Sequence, residues 1–112
     1  MDEIEILDKD DVEEILRDFK KKVESILKEK FVEAILFGSY ARGDYEHGSD
    51  IDLLLVVKEK LTRKEKERIS KITADLSLTY DVVITCFDYL YTDFRDRNSP
   101  FLLNVRKEGV AI

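Results

Sequence analysis

Two short runs restrict this chain more than anything else in it: Gly38-Ser39 and, after ten intervening residues, Asp50-Ile51-Asp52. The first closes the apolar run Ile35-Leu36-Phe37, and the second opens directly into Leu53-Leu54-Leu55-Val56-Val57. Side chains two apart on a strand point to the same face, so Asp50 and Asp52 are expected to project together. Neighbouring carboxylates repel and are costly to bury, and a cation between them removes both problems. A small turn that offers backbone N–H groups beside such a pair suits a nucleoside triphosphate with magnesium. Phosphoryl or nucleotidyl transfer is the chemistry this points to.

The element order says how the two runs meet. Val12, Ile15, Leu16, Phe19, Val23, Ile26 and Leu27 recur at helical spacing, with Asp10 or Asp11 as N-cap and Glu13 or Glu14 reaching back to it. A first strand is expected at about Val32 to Phe37, a helical turn over Ser39 to Arg42 and a polar loop from Gly43 to Ser49. Ile51 to Lys58 reads as a strand buried on both faces. Thr62-Arg63-Lys64-Glu65 is a capping box opening a long helix with Ile69, Ile72, Leu76 and Tyr80 toward the core. Val82 to Phe87 is expected as a third strand, followed by a short helix from Asp88 to Asp96. A last helix has Ser99 as N-cap, Pro100 at its first turn and Gly109 past its end, with an edge strand at Val110 to Ile112. The fold class is thus α/β (α+β): one domain over residues 1–112, with a mixed sheet of three to four strands flanked by helices.

For Gly38-Ser39 to meet Asp50 and Asp52, strands one and two must run antiparallel. Strands two and three, joined by a helix, are expected to be parallel through a right-handed crossover. Both then start at the same edge, which brings Asp81 toward the first two acids. In this scheme Asp50 and Asp52 ligate Mg²⁺, while Asp81 completes a second metal site or serves as base for an acceptor hydroxyl. Gly38 lets the backbone approach a phosphate, Ser39 adds a hydroxyl and N–H groups, and Arg42 reaches a phosphate or pairs with a carboxylate.

Other residues have plainer readings. His47, the only histidine, lies in the polar loop and is expected to be solvent-exposed; Cys86 is a small core residue. Tyr40 and Tyr45 suit either stacking on a base or surface packing. The mixed-sign run Arg63 to Arg68 is a solvated helix face.

Charge and length exclude several classes. A net charge of −6 argues against a sequence-independent grip on nucleic acid, which needs clustered Lys and Arg. The longest apolar run is far below membrane-spanning length. The acidic start Met1 to Glu5 has no signal-peptide pattern, and a lone cysteine cannot form an internal disulfide, so a cytoplasmic protein is expected.

The combined pattern, Gly38-Ser39-Tyr40-Ala41-Arg42-Gly43 followed by Ser49-Asp50-Ile51-Asp52-Leu53, closely resembles the signature of the DNA polymerase β-like nucleotidyltransferases. It is most similar to their smallest branch, the minimal nucleotidyltransferases or MNT proteins. Tyr80-Asp81-Val82-Val83 matches the third acid by type and placement, and the likeness runs through Glu108-Gly109-Val110. The resemblance implies transfer of a nucleoside monophosphate, with ATP as donor and Mg²⁺ as cofactor in one or two ions. It also implies a HEPN-domain toxin as partner, neutralised by adenylylation of a hydroxyl and by binding. One domain of 112 residues is expected to leave no room for the helical acceptor domain of the larger relatives. The acceptor must then be a partner protein, a second copy of the chain or a substrate at an open cleft. The alternative is a non-catalytic antitoxin or nucleotide-binding module that acts by complex formation.

Overall fold

The fold was obtained as a computed structural model, which describes residues 7–112; the acidic start Met1 to Glu5 lies outside them. Helix α1 (Lys9–Leu27) buries Ile15, Phe19, Val23 and Leu27, one residue per turn along a single stripe. Its N-cap is Asp8, whose side chain accepts from the Asp11 N–H at 2.8 Å. Asp10 and Asp11, expected as caps, instead lie in the first turn, where their charge faces the positive end of the helix.

After a 3₁₀ turn at Lys28–Lys30 come β1 (Phe31–Phe37), the single turn α2 (Ser39–Arg42) and β2 (Ile51–Val57). Strand β1 runs antiparallel to β2, with Phe37 opposite Asp52, so the end of β1 meets the start of β2 as expected. Helix α3 (Arg63–Tyr80) opens with the capping box: Thr62 accepts from the Glu65 N–H, and the Glu65 carboxylate accepts from the Thr62 N–H. It leads into β3 (Ile84–Leu90), parallel to β2, with Asp52 opposite Thr85. Helices α4 (Tyr91–Asp96) and α5 (Pro100–Glu108) follow, and β4 (Val110–Ala111) closes the sheet on the far side of β1, giving the order β3-β2-β1-β4.

Strand β2 is the centre of the fold. Leu53, Leu55 and Val57 join the α1 and α3 side chains in one core, while Leu54 and Val56 pack with Ile35, Phe37 and Val105 on the opposite face. That explains a strand without polar alternation.

The boundaries around β3 differ most from expectation. Val82 to Phe87 was expected as strand three, but α3 ends on Asp81 in the left-handed conformation (φ 52°, ψ 51°), and the Val82 N–H returns to the Ser77 carbonyl at 3.2 Å. This helix-closing turn uses residues that would otherwise start the strand. Strand β3 then runs on to Leu90, with Asp88, Tyr89 and Leu90 beside Leu55, Val56 and Val57. The short helix expected from Asp88 therefore starts only at Tyr91. At the other end Ser99 caps α5, accepting from the Leu102 N–H at 3.2 Å. Gly109 is needed for close approach: a Cβ there would meet the Val105 carbonyl and, at 2.6 Å, Ile35 Cγ2. Among the described residues no helix is long and apolar enough to cross a membrane.

Candidate active site

The site is built around Gly38. Its backbone (φ 77°, ψ −157°) lies in a region open essentially to glycine alone. A Cβ at this position would collide with the Asp52 carboxylate. The missing side chain is what lets the turn after β1 lie directly on the acid at the start of β2. Asp52 is half-buried and Asp50, just ahead of the strand, is exposed. The register between the strands begins at Ile51, whose N–H donates to the Val83 carbonyl at 2.9 Å.

Asp52 is held from its other side. The Thr85 hydroxyl donates to Asp52 Oδ1 at 2.7 Å, fixing the carboxylate's rotation while Oδ2 faces Gly38. The residue beside Asp52 on β3 is thus a threonine. Asp81 stands not at a strand start but at the end of α3, three residues ahead of Ile84, and is exposed. Among the described residues no group of three or more His, Cys, Asp or Glu side chains is placed to hold a metal. The glycine turn and Asp52 are brought into contact, and Asp50 lies two residues ahead of Asp52 in the chain.

Arg42, at the end of α2, pairs with carboxylates other than the two expected. Its Nη1 donates to both oxygens of Glu108, at 3.1 and 3.2 Å, and its Nε donates to Asp44 Oδ2 at 3.2 Å. These bonds, Glu108 first, raise the Arg42 pKa above its ordinary value. Glu108 also accepts from the Gly38 N–H at 3.3 Å, so one carboxylate from the end of α5 ties the turn to the arginine. Ser39 opens α2, and its carbonyl accepts from the Gly43 and Asp44 N–H groups.

Tyr40 and Tyr45 stack on each other, ring centroids 4.1 Å apart and planes 13° from parallel. Burial first, then Tyr45 and Asp50, raises the Tyr40 pKa. The polar loop folds back through Ser49, whose hydroxyl accepts from the Glu46 N–H at 2.8 Å. His47 is exposed, as expected. Cys86 packs against the core under α3, and burial, with Asp88 adding to it, pushes its thiol up to about 12.

Comparison with known proteins decides the family. A model of the nucleotidyltransferase domain matches residues 16–108, a span holding the glycine turn, all three candidate acids and Glu108. The chain belongs to the nucleotidyltransferase domain family. A curated relative from Methanocaldococcus jannaschii, named putative protein adenylyltransferase MJ0141, is 50% identical over 99 residues, covering 88% of this chain and 96% of that protein. Among solved structures, a toxin–antitoxin with AMP-PNP superposes with a TM-score of 0.58 at 21% identity, over 94% of this chain and 72% of the other. The MNT antitoxin complex with the tri-AMPylated HEPN toxin of Shewanella oneidensis gives a TM-score of 0.50 at 18% identity, over 87% and 70%. At those identities the structures show a shared fold.

The donor set of this nucleotidyltransferase suits a hard divalent cation. Asp50 and Asp52 offer carboxylate oxygens, and Mg²⁺ is commonly held by one or two carboxylates with the remaining positions filled by water and substrate phosphates. Thr85 and Glu108 make contacts to the candidate site residues Asp52, Gly38 and Arg42 that sequence reading missed. The signal for Thr85 was the parallel pairing itself, which lacked only the register; that for Glu108 was its place beside the close-packing Gly109.

Proposed function

We propose that this nucleotidyltransferase moves AMP from ATP to a hydroxyl of a protein acceptor, with Mg²⁺ as cofactor. The observation that carries the reading is the Gly38 turn seated on the Asp52 carboxylate. It sets backbone donors for phosphate beside acids that would hold the cation. The 50% identity to a protein named as an adenylyltransferase supports adenylyl transfer to protein in particular.

In this reading the acceptor oxygen attacks the α-phosphorus of ATP, the bond to the bridging oxygen breaks, and pyrophosphate leaves with its electron pair. The hydroxyl proton passes to solvent or to a nearby carboxylate. Gly38 and Ser39 hold the polyphosphate through backbone N–H groups and the Ser39 hydroxyl, and Arg42 supplies a guanidinium for the same oxygens. Asp50 and Asp52 would bind the cation, which when present offsets charge developing on the departing pyrophosphate. Thr85 fixes the angle at which Asp52 presents its free oxygen. Asp81 stands as a base or further ligand only in a complex that brings it to the acids.

The acceptor is assigned to a separate HEPN-type toxin. The support is the fold shared with an MNT antitoxin that forms a complex with an AMPylated HEPN toxin. Incubation with ATP labelled at the α-phosphate, Mg²⁺ and the protein encoded next to this one tests the reading. Label on that protein, lost with Asp50→Asn, is the expected result. A stable complex without label from any nucleoside triphosphate would replace transfer with inhibition by binding.

A further inference from the structure

Two of the groups assigned to polyphosphate, the Gly38 N–H and Arg42 Nη1, converge on one internal anion. Glu108 lies 70 and 66 positions away from them in sequence, yet its Oε1 accepts from both, and its Oε2 takes a second bond from Arg42. A carboxylate gripped by a backbone N–H and an arginine has the same donors a phosphate would use, with similar oxygen spacing. We propose that the Glu108 carboxylate is a resident stand-in for phosphate, and that a polyphosphate enters this site by displacing it.

The surroundings fit an exchangeable occupant. Gly109 packs the end of α5 closely against Ile35, so displacement of the carboxylate needs only a rotation of the Glu108 side chain and no shift of the helix. That side chain is 25% exposed and its Arg42 partner 46%, so both are already wet and the pair is weak. With Asp44 on Nε as well, Arg42 faces two carboxylates, which compete with an incoming anion for its N–H groups. Release of Glu108 frees the Gly38 N–H and Arg42 Nη1 in one movement.

The inference rests on the nucleotide reading above, and the experiment separates the two. Binding of Mg²⁺-ATP and of Mg²⁺-tripolyphosphate is measured by calorimetry on wild type, Glu108→Gln, Glu108→Ala and Asp44→Asn. Glu108→Gln keeps an acceptor oxygen for Gly38 and Arg42 but drops the charge, so it retains the turn. It is expected to tighten both ligands by about threefold, the scale of one exposed charge pair. Asp44→Asn, which neutralises Arg42's other partner without touching Gly38, is expected to give less. Unchanged or weaker binding in both Glu108 variants would overturn the proposal, as would an equal gain in Asp44→Asn. A gain confined to ATP would also overturn it. No binding of either ligand by wild type, with no label transfer, would instead bring down the nucleotide reading and this inference with it.

Discussion

Thr85 and Asp52 are register partners across the parallel β2–β3 pair, and the Thr85 hydroxyl lies 2.7 Å from Asp52 Oδ1. A carboxylate that accepts this bond cannot rotate freely, so its second oxygen keeps a fixed direction toward the Gly38 turn. Groups that orient a metal-binding carboxylate typically influence metal affinity about tenfold or more. Thr85→Val, nearly isosteric, is expected to weaken Mn²⁺ binding by about tenfold, read by calorimetry, and to lower kcat by a similar factor. Thr85→Ser restores the hydroxyl and is expected to recover most of both. Equal behaviour of the valine and serine variants would reduce Thr85 to a packing residue.

The three acids are expected to separate in their effects. Asp50→Asn and Asp52→Asn remove the charges beside the Gly38 turn and should reduce transfer by about a hundredfold or more, with melting temperature nearly unchanged. Asp81 occupies a left-handed helix end that asparagine also tolerates, so Asp81→Asn leaves the fold intact. Its expected loss is less than about tenfold, because the described residues hold no three-acid metal group. A loss in Asp81→Asn matching that of Asp52→Asn would show that the working complex recruits Asp81 to the metal.

What could be read in the sequence follows the range of the forces involved. Helix stripes, the Thr62 capping box and the apolar β2 run are local patterns, and each element appeared where its pattern lay. The antiparallel pairing followed from requiring the glycine turn to meet the paired acids, and the parallel one from the helix that joins strands two and three. Register did not: whether Thr85 or Asp81 stands beside Asp52 depends on how many residues the turn ending α3 consumes. That is a choice between a helix-closing hydrogen bond at Val82 and one more strand residue. The partners of Arg42 were equally hidden, since Glu108 reaches it only through the packing of α5 and Gly109 against β1.

Gly38 is expected to tolerate no side chain. Alanine there takes on a conformation costing about 1–3 kcal/mol and also collides with the Asp52 carboxylate. For a domain of this size a destabilisation of about 1 kcal/mol lowers the melting temperature by roughly 4–8 °C. Gly38→Ala should show at least that fall in calorimetric melting and lose transfer, because the turn can relax only by moving off Asp52. Gly43→Ala provides the contrast, since a Cβ at Gly43 meets nothing within 4 Å, leaving only the cost of its positive φ. Comparable losses of activity in the two variants would remove the special role of the Gly38–Asp52 contact.

The alkaline side of the stability profile tests the interior next to the site. Cys86 is a thiol whose folded pKa is pushed up to about 12 by burial and by Asp88, against about 8.5 for an unfolded cysteine. Burial disfavours the thiolate, so this contribution is fully present below the unfolded value and is lost as pH rises from about 8.5 toward 12. Tyr40 and Tyr80, both raised chiefly by burial, act with the same sign but only above their ordinary value of 10.0. Between about pH 8.5 and 10 the thiol should therefore dominate the decline attributable to these three groups. Denaturant titrations across that window should show stability falling in wild type and falling less in Cys86→Val. Native Cys86 should also react with a thiol reagent at pH 8 far more slowly than the unfolded chain, since only the thiolate attacks. Equal rates in the folded and unfolded protein would mean that the pocket under α3 opens to solvent.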